Sequence, residues 1–286
     1  MEQSKTPTAA SMQSFLDLGR VGGVREDEFV KDDCIYCKKC GTPRTCYIEP
    51  FKRWVRCICK CQSEELKDKE KKEQQQRQQV KFERLLKASL LGERYYNVSF
   101  ENTDLNRHAS FTKAFERCKK YCENSDEVLA NGYGIYLWGD SGSGKTHLMA
   151  CMVNYLTRNF EACLFTNFFE ITRELLKRNN SFNNDASFEN MLAEVPFLFI
   201  DDLGTERVQK DGQDMWLQEK IYDIVNKRYN NKKPTIFSSN NSLQQLIEEK
   251  GLMQKTVDRI LEMSSAIMKV EGDSYRFKMR DKNLPF

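Results

Sequence analysis

No stretch of the 286 residues approaches the roughly 18 consecutive apolar side chains that a membrane-spanning helix needs, so no membrane contact is expected. The start, Met1-Glu2-Gln3-Ser4-Lys5-Thr6-Pro7-Thr8, lacks the apolar core of a secretory signal, and a cytoplasmic address is the expectation. Histidine is scarce: the two present, His108 and His147, carry no catalytic signature. No internal repeat is found. The charged run from Ser63 to Glu73, with its Gln-rich continuation to Gln79, sustains no apolar heptad seam; it reads as a solvated linker helix rather than a coiled coil.

Cysteine, by contrast, is plentiful at eleven, and seven of these crowd between residues 34 and 61. Disulfide scaffolds are short, exported and cysteine-dense throughout, so clustering of this kind points to metal ligation. Residues 31–61 also hold 8 Lys and Arg against 3 Asp and Glu, a local excess that a tetrathiolate zinc site would reduce by two. That charge is compatible with nucleic-acid contact without requiring it. Before it, residues 1–30 are polar with little apolar periodicity and read as a flexible tail.

From about Leu85 short apolar runs alternate with amphipathic stretches, the pattern of an α/β domain with a parallel sheet. Buried strands are expected at 134–138, 162–166, 197–200 and 235–238, with helices at 145–158, 168–178 and about 214–230 and a surface loop at 179–185. The division expected is a tail at 1–30, a zinc-binding module at 31–62, a helical linker at 63–92 and an ATPase domain at 93–286.

The chemistry is concentrated in Gly139-Asp140-Ser141-Gly142-Ser143-Gly144-Lys145-Thr146, a G-x-x-x-x-G-K-[ST] run between an expected strand and an expected helix. The glycines let the loop wrap and turn its N–H groups onto phosphate oxygens. Lys145 supplies a point charge, Thr146 a hydroxyl for Mg²⁺, and the helix start, which includes His147, a positive dipole end. ATP and Mg²⁺ are the implied ligands. A second acidic element is needed near the γ-phosphate, and Phe197-Leu198-Phe199-Ile200-Asp201-Asp202 brings two carboxylates to the end of an apolar strand. Asp201 is assigned to Mg²⁺ and Asp202 to polarising the attacking water.

Phe199-Ile200-Asp201-Asp202-Leu203-Gly204-Thr205-Glu206, then Ile224-Val225-Asn226-Lys227-Arg228-Tyr229, then Lys233-Pro234-Thr235-Ile236-Phe237-Ser238-Ser239-Asn240 resemble the DnaC/DnaI-type replicative helicase loaders, relatives of the IstB transposition ATPases within the AAA+ class. Asn97 to Asn102, Asp258 to Met263 and Gly272 to Arg276 extend the likeness over about residues 95–280. The resemblance implies an AAA+ P-loop fold in a bacterial or phage protein. It implies Asn240 as sensor 1, Arg259 as an arginine finger acting on a neighbouring subunit, and Arg276 as the sensor 2 arginine. It therefore implies a homo-oligomer sharing ATP sites, with a DnaB-type helicase and single-stranded DNA as partners. An IstB-like regulator on duplex DNA and a non-enzymatic zinc adaptor are the competing readings; the metal ribbon favours the loader over the former, the intact site residues over the latter.

For zinc, Cys37-Lys38-Lys39-Cys40-Gly41 is a C-x-x-C-G knuckle and Cys57-Ile58-Cys59-Lys60-Cys61 the second half. Cys37, Cys40, Cys59 and Cys61 are the chosen ligands, with Cys57 an alternative to Cys59, and Cys34 and Cys46 spare. The module would meet the helicase, or touch single-stranded DNA through Arg44, Lys52, Arg53, Trp54 and Arg56. Cys118, Cys122, Cys151 and Cys163 are expected in the core.

Overall fold

The computed structural model describes residues 23–32, 34–51, 53–179, 186–204, 212–272 and 274, in two compact units divided between Gln79 and Val80. Both the expected loop at 179–185, beyond its first residue, and Arg276 lie outside the described residues. No helix among the described residues is long and apolar enough to cross a membrane.

The first unit is built from two antiparallel hairpins. Strands β1 (Glu28–Lys31) and β2 (Cys34–Cys37) pair with Phe29 opposite Tyr36. Strands β3 (Thr45–Ile48) and β4 (Arg53–Arg56) pair with Tyr47 opposite Trp54. In each hairpin the facing aromatics pack at a ring separation of 5.6 Å, the kind of cross-strand contact that steadies a short ladder. The hairpins are stitched by the Arg44 N–H to the Ile35 carbonyl at 2.6 Å and the Ile35 N–H to Thr45 Oγ1 at 3.0 Å.

At the centre of the unit is a buried carboxylate. The Glu28 side chain has no exposed surface, and it receives Arg44 Nη1 at 3.0 Å and Arg56 Nη1. Burial alone would raise its pKa, but the hydrogen bonds from Arg56, the Arg25 N–H and Arg44 outweigh that and hold it at about 2. Two expectations change here. The ordered module begins before residue 31, since β1 and Glu28 fall in the stretch read as a tail. Arg44, itself buried, and Arg56 are counterions to Glu28 and not members of an exposed basic ribbon.

Helix α1 (Lys60–Ala88) runs across the boundary between units. Its charged, glutamine-rich sequence offers no apolar stripe, and Leu86 alone of its residues is buried.

The second unit contains a five-stranded, all-parallel sheet in the order β6-β7-β8-β5-β9. The strands are β5 (Gly134–Trp138), β6 (Cys163–Asn167), β7 (Phe197–Leu203), β8 (Thr235–Ser239) and β9 (Ser264–Lys269). Helices α2 (Ala109–Glu123) and α3 (Ser125–Asn131) precede β5, and α4 (Lys145–Arg158), α5 (Phe168–Asn179), α6 (Ser187–Glu194), α7 (Gly212–Asn230), α8 (Leu243–Glu248) and α9 (Gln254–Met263) connect the strands. Side chains alternate across each central strand: Ile135 and Leu137, Phe197 and Phe199, and Ile236 enter one core with α2 and α4. Tyr136, Leu198 and Ile200, and Phe237 enter the other, with α5, α7 and α9. A parallel sheet buried on both faces needs such continuously apolar strands. Cys118, Cys122, Cys151 and Cys163 lie in the first core.

Arg228 on α7 is fully buried and is held by backbone oxygens, not by a carboxylate. Its guanidinium donates to the carbonyls of Leu192 and Val195 at 2.8 Å and Pro234 at 2.7 Å, and Nε to Thr235 Oγ1 at 2.8 Å. It thereby satisfies the carbonyls that the end of α6 leaves open and ties them to the start of β8.

Candidate nucleotide site and cysteine cluster

The loop between β5 and α4 passes through left-handed backbone at Gly142 and Gly144, φ 83° and 107°. It also runs against its surroundings: a Cβ on Gly139 would meet the Val270 carbonyl, and one on Gly142 the Ser274 side chain. Lys145 folds back over the loop, and its Nζ donates to the carbonyls of Gly139 at 2.6 Å and Asp140 at 2.8 Å and to Asn240 Oδ1 at 2.9 Å. Thr146 Oγ1 donates to Asp201 Oδ2 at 2.9 Å. Asp201 is buried, which pushes its carboxyl pKa up, while the hydrogen bonds from Ser238 and Thr146 pull against that rise.

A cavity of about 370 Å³ opens here, lined on one side by Ser141, Gly142, Gly144, Lys145 and Thr146 and closed by Asp202 and Asn240. Tyr95, Arg107 and His147 complete it. Ser143 Oγ is buried with no hydrogen-bond partner among the described residues. A glycine-rich loop at a helix start, an enclosed lysine and this orphaned hydroxyl suit a phosphate chain. The hydroxyl of Thr146 beside the carboxylate of Asp201 is the hard oxygen set that Mg²⁺ takes.

The structure thus brings together Lys145, Thr146, Asp201, Asp202 and Asn240 from α4, β7 and the end of β8. Arg259 stands apart from them on α9: its guanidinium pairs with Glu262 and lies 4.7 Å from the Tyr229 ring centre, and it does not line its own chain's cavity. Ser274 reaches Gly142, but Arg276, two residues on, is outside the described residues.

Sequence reasoning left out Tyr95, Arg107 and Thr103. Arg107 packs its guanidinium 4.3 Å from the Phe111 ring centre, and nothing in its spacing marks it. Thr103 donates to the Ser99 carbonyl at 2.7 Å, so it accepts from His147 Nε2 at 2.9 Å. Burial and the nearby Arg107 push the His147 pKa down to about 4, leaving the ring neutral.

In the first unit, one ligand atom from each of Cys37, Cys40, Cys59 and Cys61 falls within 4.8 Å of all the others. Cys37 Sγ is 3.6 Å and Cys59 Sγ 3.3 Å from Cys61 Sγ. Four sulfurs around Zn²⁺ at about 2.3 Å would stand roughly 3.8 Å apart, so the cluster fits zinc with little adjustment. Cys57 points elsewhere, toward the Pro43 carbonyl at 3.5 Å.

A parallel sheet with this loop between β5 and α4, and paired aspartates on β7, separated from β5 by β8, defines a P-loop nucleotide-binding protein of the AAA+ type. The profile of the family described as "IstB-like ATP binding protein" matches residues 61–283, and the chain belongs to that family. It is similar to the phage-like element PBSX protein XkdC of Bacillus subtilis (strain 168), at 27% identity over 261 residues covering 89% of this chain and 88% of that protein. It is also 27% identical over 206 residues to the replicative helicase loader DnaC of Buchnera aphidicola subsp. Baizongia pistaciae (strain Bp), covering 70% of this chain and 78% of the relative. Among solved structures, that of the DnaC helicase loader superposes with a TM-score of 0.53 at 25% identity, over 63% of this chain and 100% of the other.

Proposed function

We propose that this protein is an ATP-driven loader that places a ring-shaped, DnaB-type replicative helicase on single-stranded DNA. The observation that carries the reading is the gathering of Lys145, Thr146, Asp202 and Asn240 around one cavity, with Asp201 bonded to Thr146, while Arg259 does not line it. A site that gathers these groups in one chain, but leaves its candidate finger outside, suits an oligomer in which each Arg259 serves a neighbour's ATP. The names of the relatives supply the direction, since a DnaC helicase loader matches over most of its length.

Within the site, Lys145 neutralises the β and γ phosphates, Thr146 and Asp201 hold Mg²⁺, and Asp202 accepts from the attacking water. Asn240 aligns that water with the γ-phosphate, and Arg276 reaches its own subunit's nucleotide. Mg²⁺ held there by Thr146 and Asp201 would supply positive charge to offset that of the phosphates. ATP would favour the assembled state through Arg259, and hydrolysis would release it. The module holding Cys37, Cys40, Cys59 and Cys61 carries zinc and meets the helicase. With Arg44 and Arg56 engaged on Glu28, its capacity to grip DNA by charge is reduced, which favours a protein partner.

The test is co-purification with a DnaB-type helicase in the presence and absence of ATP, alongside ATPase assays of the protein alone. ATP-dependent capture supports the loader. No capture under either condition, with transfer of the protein to duplex DNA instead, would overturn it.

A further inference from the structure

Strands β7 and β8 fall out of step where the two carboxylates stand. Ile200 pairs with Phe237 and Leu203 with Ser239, so Asp201 and Asp202 together face the single residue Ser238. Two residues against one is a β-bulge, a device that re-aims side chains beside active sites. Here the bulge carries a residue in sparsely populated backbone: Asp202 has φ 54°, in the left-handed region that disfavours L-residues other than Asn and Asp. Such a conformation persists only where its neighbours over-determine it.

The neighbour is Ser238, whose side chain is fully buried. Its hydroxyl donates to Asp201 Oδ1 and accepts the Asp202 N–H at 3.1 Å. A hydroxyl has one hydrogen and two lone pairs, so both bonds form at once. The other Asp201 oxygen is taken by Thr146, leaving that carboxylate no freedom to rotate. One residue further, Ser239 Oγ donates to the Leu203 carbonyl at 2.6 Å and accepts the Asn241 N–H at 3.0 Å, which fixes the far side of the bulge and the turn after Asn240.

We propose that Ser238 is a positioning residue for ATP hydrolysis: its single hydroxyl clasps the bulge, fixes the rotation of Asp201 and turns Asp202 toward the cavity. The inference rests on the ATPase reading above and adds to it a residue that touches neither nucleotide nor water. The bland account is that a small polar side chain fills a polar gap between strands. The two differ in what they leave behind. Ser238→Ala keeps the P-loop amides and Lys145 in place, so ATP binding should persist, whereas the orientation of both carboxylates is lost.

The experiment compares full-length wild type, Ser238→Ala and Ser238→Thr in three measurements: binding of a fluorescent ATP analogue, steady-state hydrolysis at saturating ATP, and thermal unfolding. Ser238→Ala should bind the analogue within about 3-fold of wild type and hydrolyse at least about 10-fold more slowly. Ser238→Thr, which keeps the hydroxyl, should recover most of the rate. Ser238→Ala turnover matching wild type would overturn the inference while leaving the ATPase intact. A rate loss that merely tracks a loss of folded protein or of analogue binding would overturn it too. Should wild type itself fail to hydrolyse ATP, the ATPase reading falls and takes the inference with it.

Discussion

Lys145 Nζ and Asn240 Oδ1 lie 2.9 Å apart, so the cation of the P-loop and the amide at the end of β8 are joined directly. With Oδ1 occupied as acceptor, the Asn240 NH₂ retains its two hydrogens for an anion or a water. Truncating Asn240 removes that donor and one acceptor of Lys145, whose bonds to the Gly139 and Asp140 carbonyls still hold it over the loop. Asn240→Ala should lower ATP turnover by about 100-fold while leaving ATP affinity within about 3-fold. Stopped-flow binding beside a phosphate-release assay checks both numbers, and an equal loss in each would make Asn240 a binding residue only.

Arg259 lies off its own cavity, paired with Glu262. Mixing two inactive proteins, Arg259→Ala and Lys145→Ala, should restore hydrolysis, because roughly one interface in four then pairs an intact lysine with an intact arginine. A mixture as inactive as its components would count heavily against a shared site.

The four gathered thiols should hold about one zinc per chain, measured by atomic absorption. Cys40→Ser should release it and impair helicase loading far more than ATP hydrolysis, since the cluster and the P-loop belong to separate compact units. Full loading by the metal-free variant would remove zinc from the mechanism.

His147 predicts a pH effect on stability. Its ordinary value of 6.5 falls to about 4 in the folded chain through burial and Arg107. Between those values the unfolded chain takes up a proton that the folded chain refuses, so stability is lost as pH falls, at a limiting slope of about 1.4 kcal/mol per unit. His147→Gln cannot titrate, and its melting temperature should drop less than that of wild type between pH 6.5 and 4.5. Identical slopes would show that the ring is freely hydrated.

The second unit was largely legible because its signals are local. A G-x-x-x-x-G-K-T run, four apolar strands and two aspartates are contiguous in sequence, and β5 and α4 fall where the pattern puts them. Strand β9 was not foreseen: Ser264-Ser265-Ala266-Ile267-Met268-Lys269 is short, half polar and follows α9 without a break, and only pairing with β5 makes it a strand. The first unit was harder. Its cysteines announced a metal, and the chosen four are the ones that converge, but the role of Arg44 and Arg56 depends on Glu28, some sixteen residues or more away and in a stretch that looked unstructured. Ser238 was invisible for a related reason, since a serine inside an apolar strand acquires meaning only from the bulge across from it.

The glycines of the phosphate loop have a consequence for anyone choosing variants. Position 139 abuts the Val270 carbonyl, 142 the Ser274 side chain and 144 the ring of Phe111. A methyl group at any of them would push on the chain leaving β9 or on α2 before any nucleotide arrived. Inactive glycine variants would thus confound a packing defect with a binding defect, and the cleaner instruments for dissecting this site are side chains that end in the cavity.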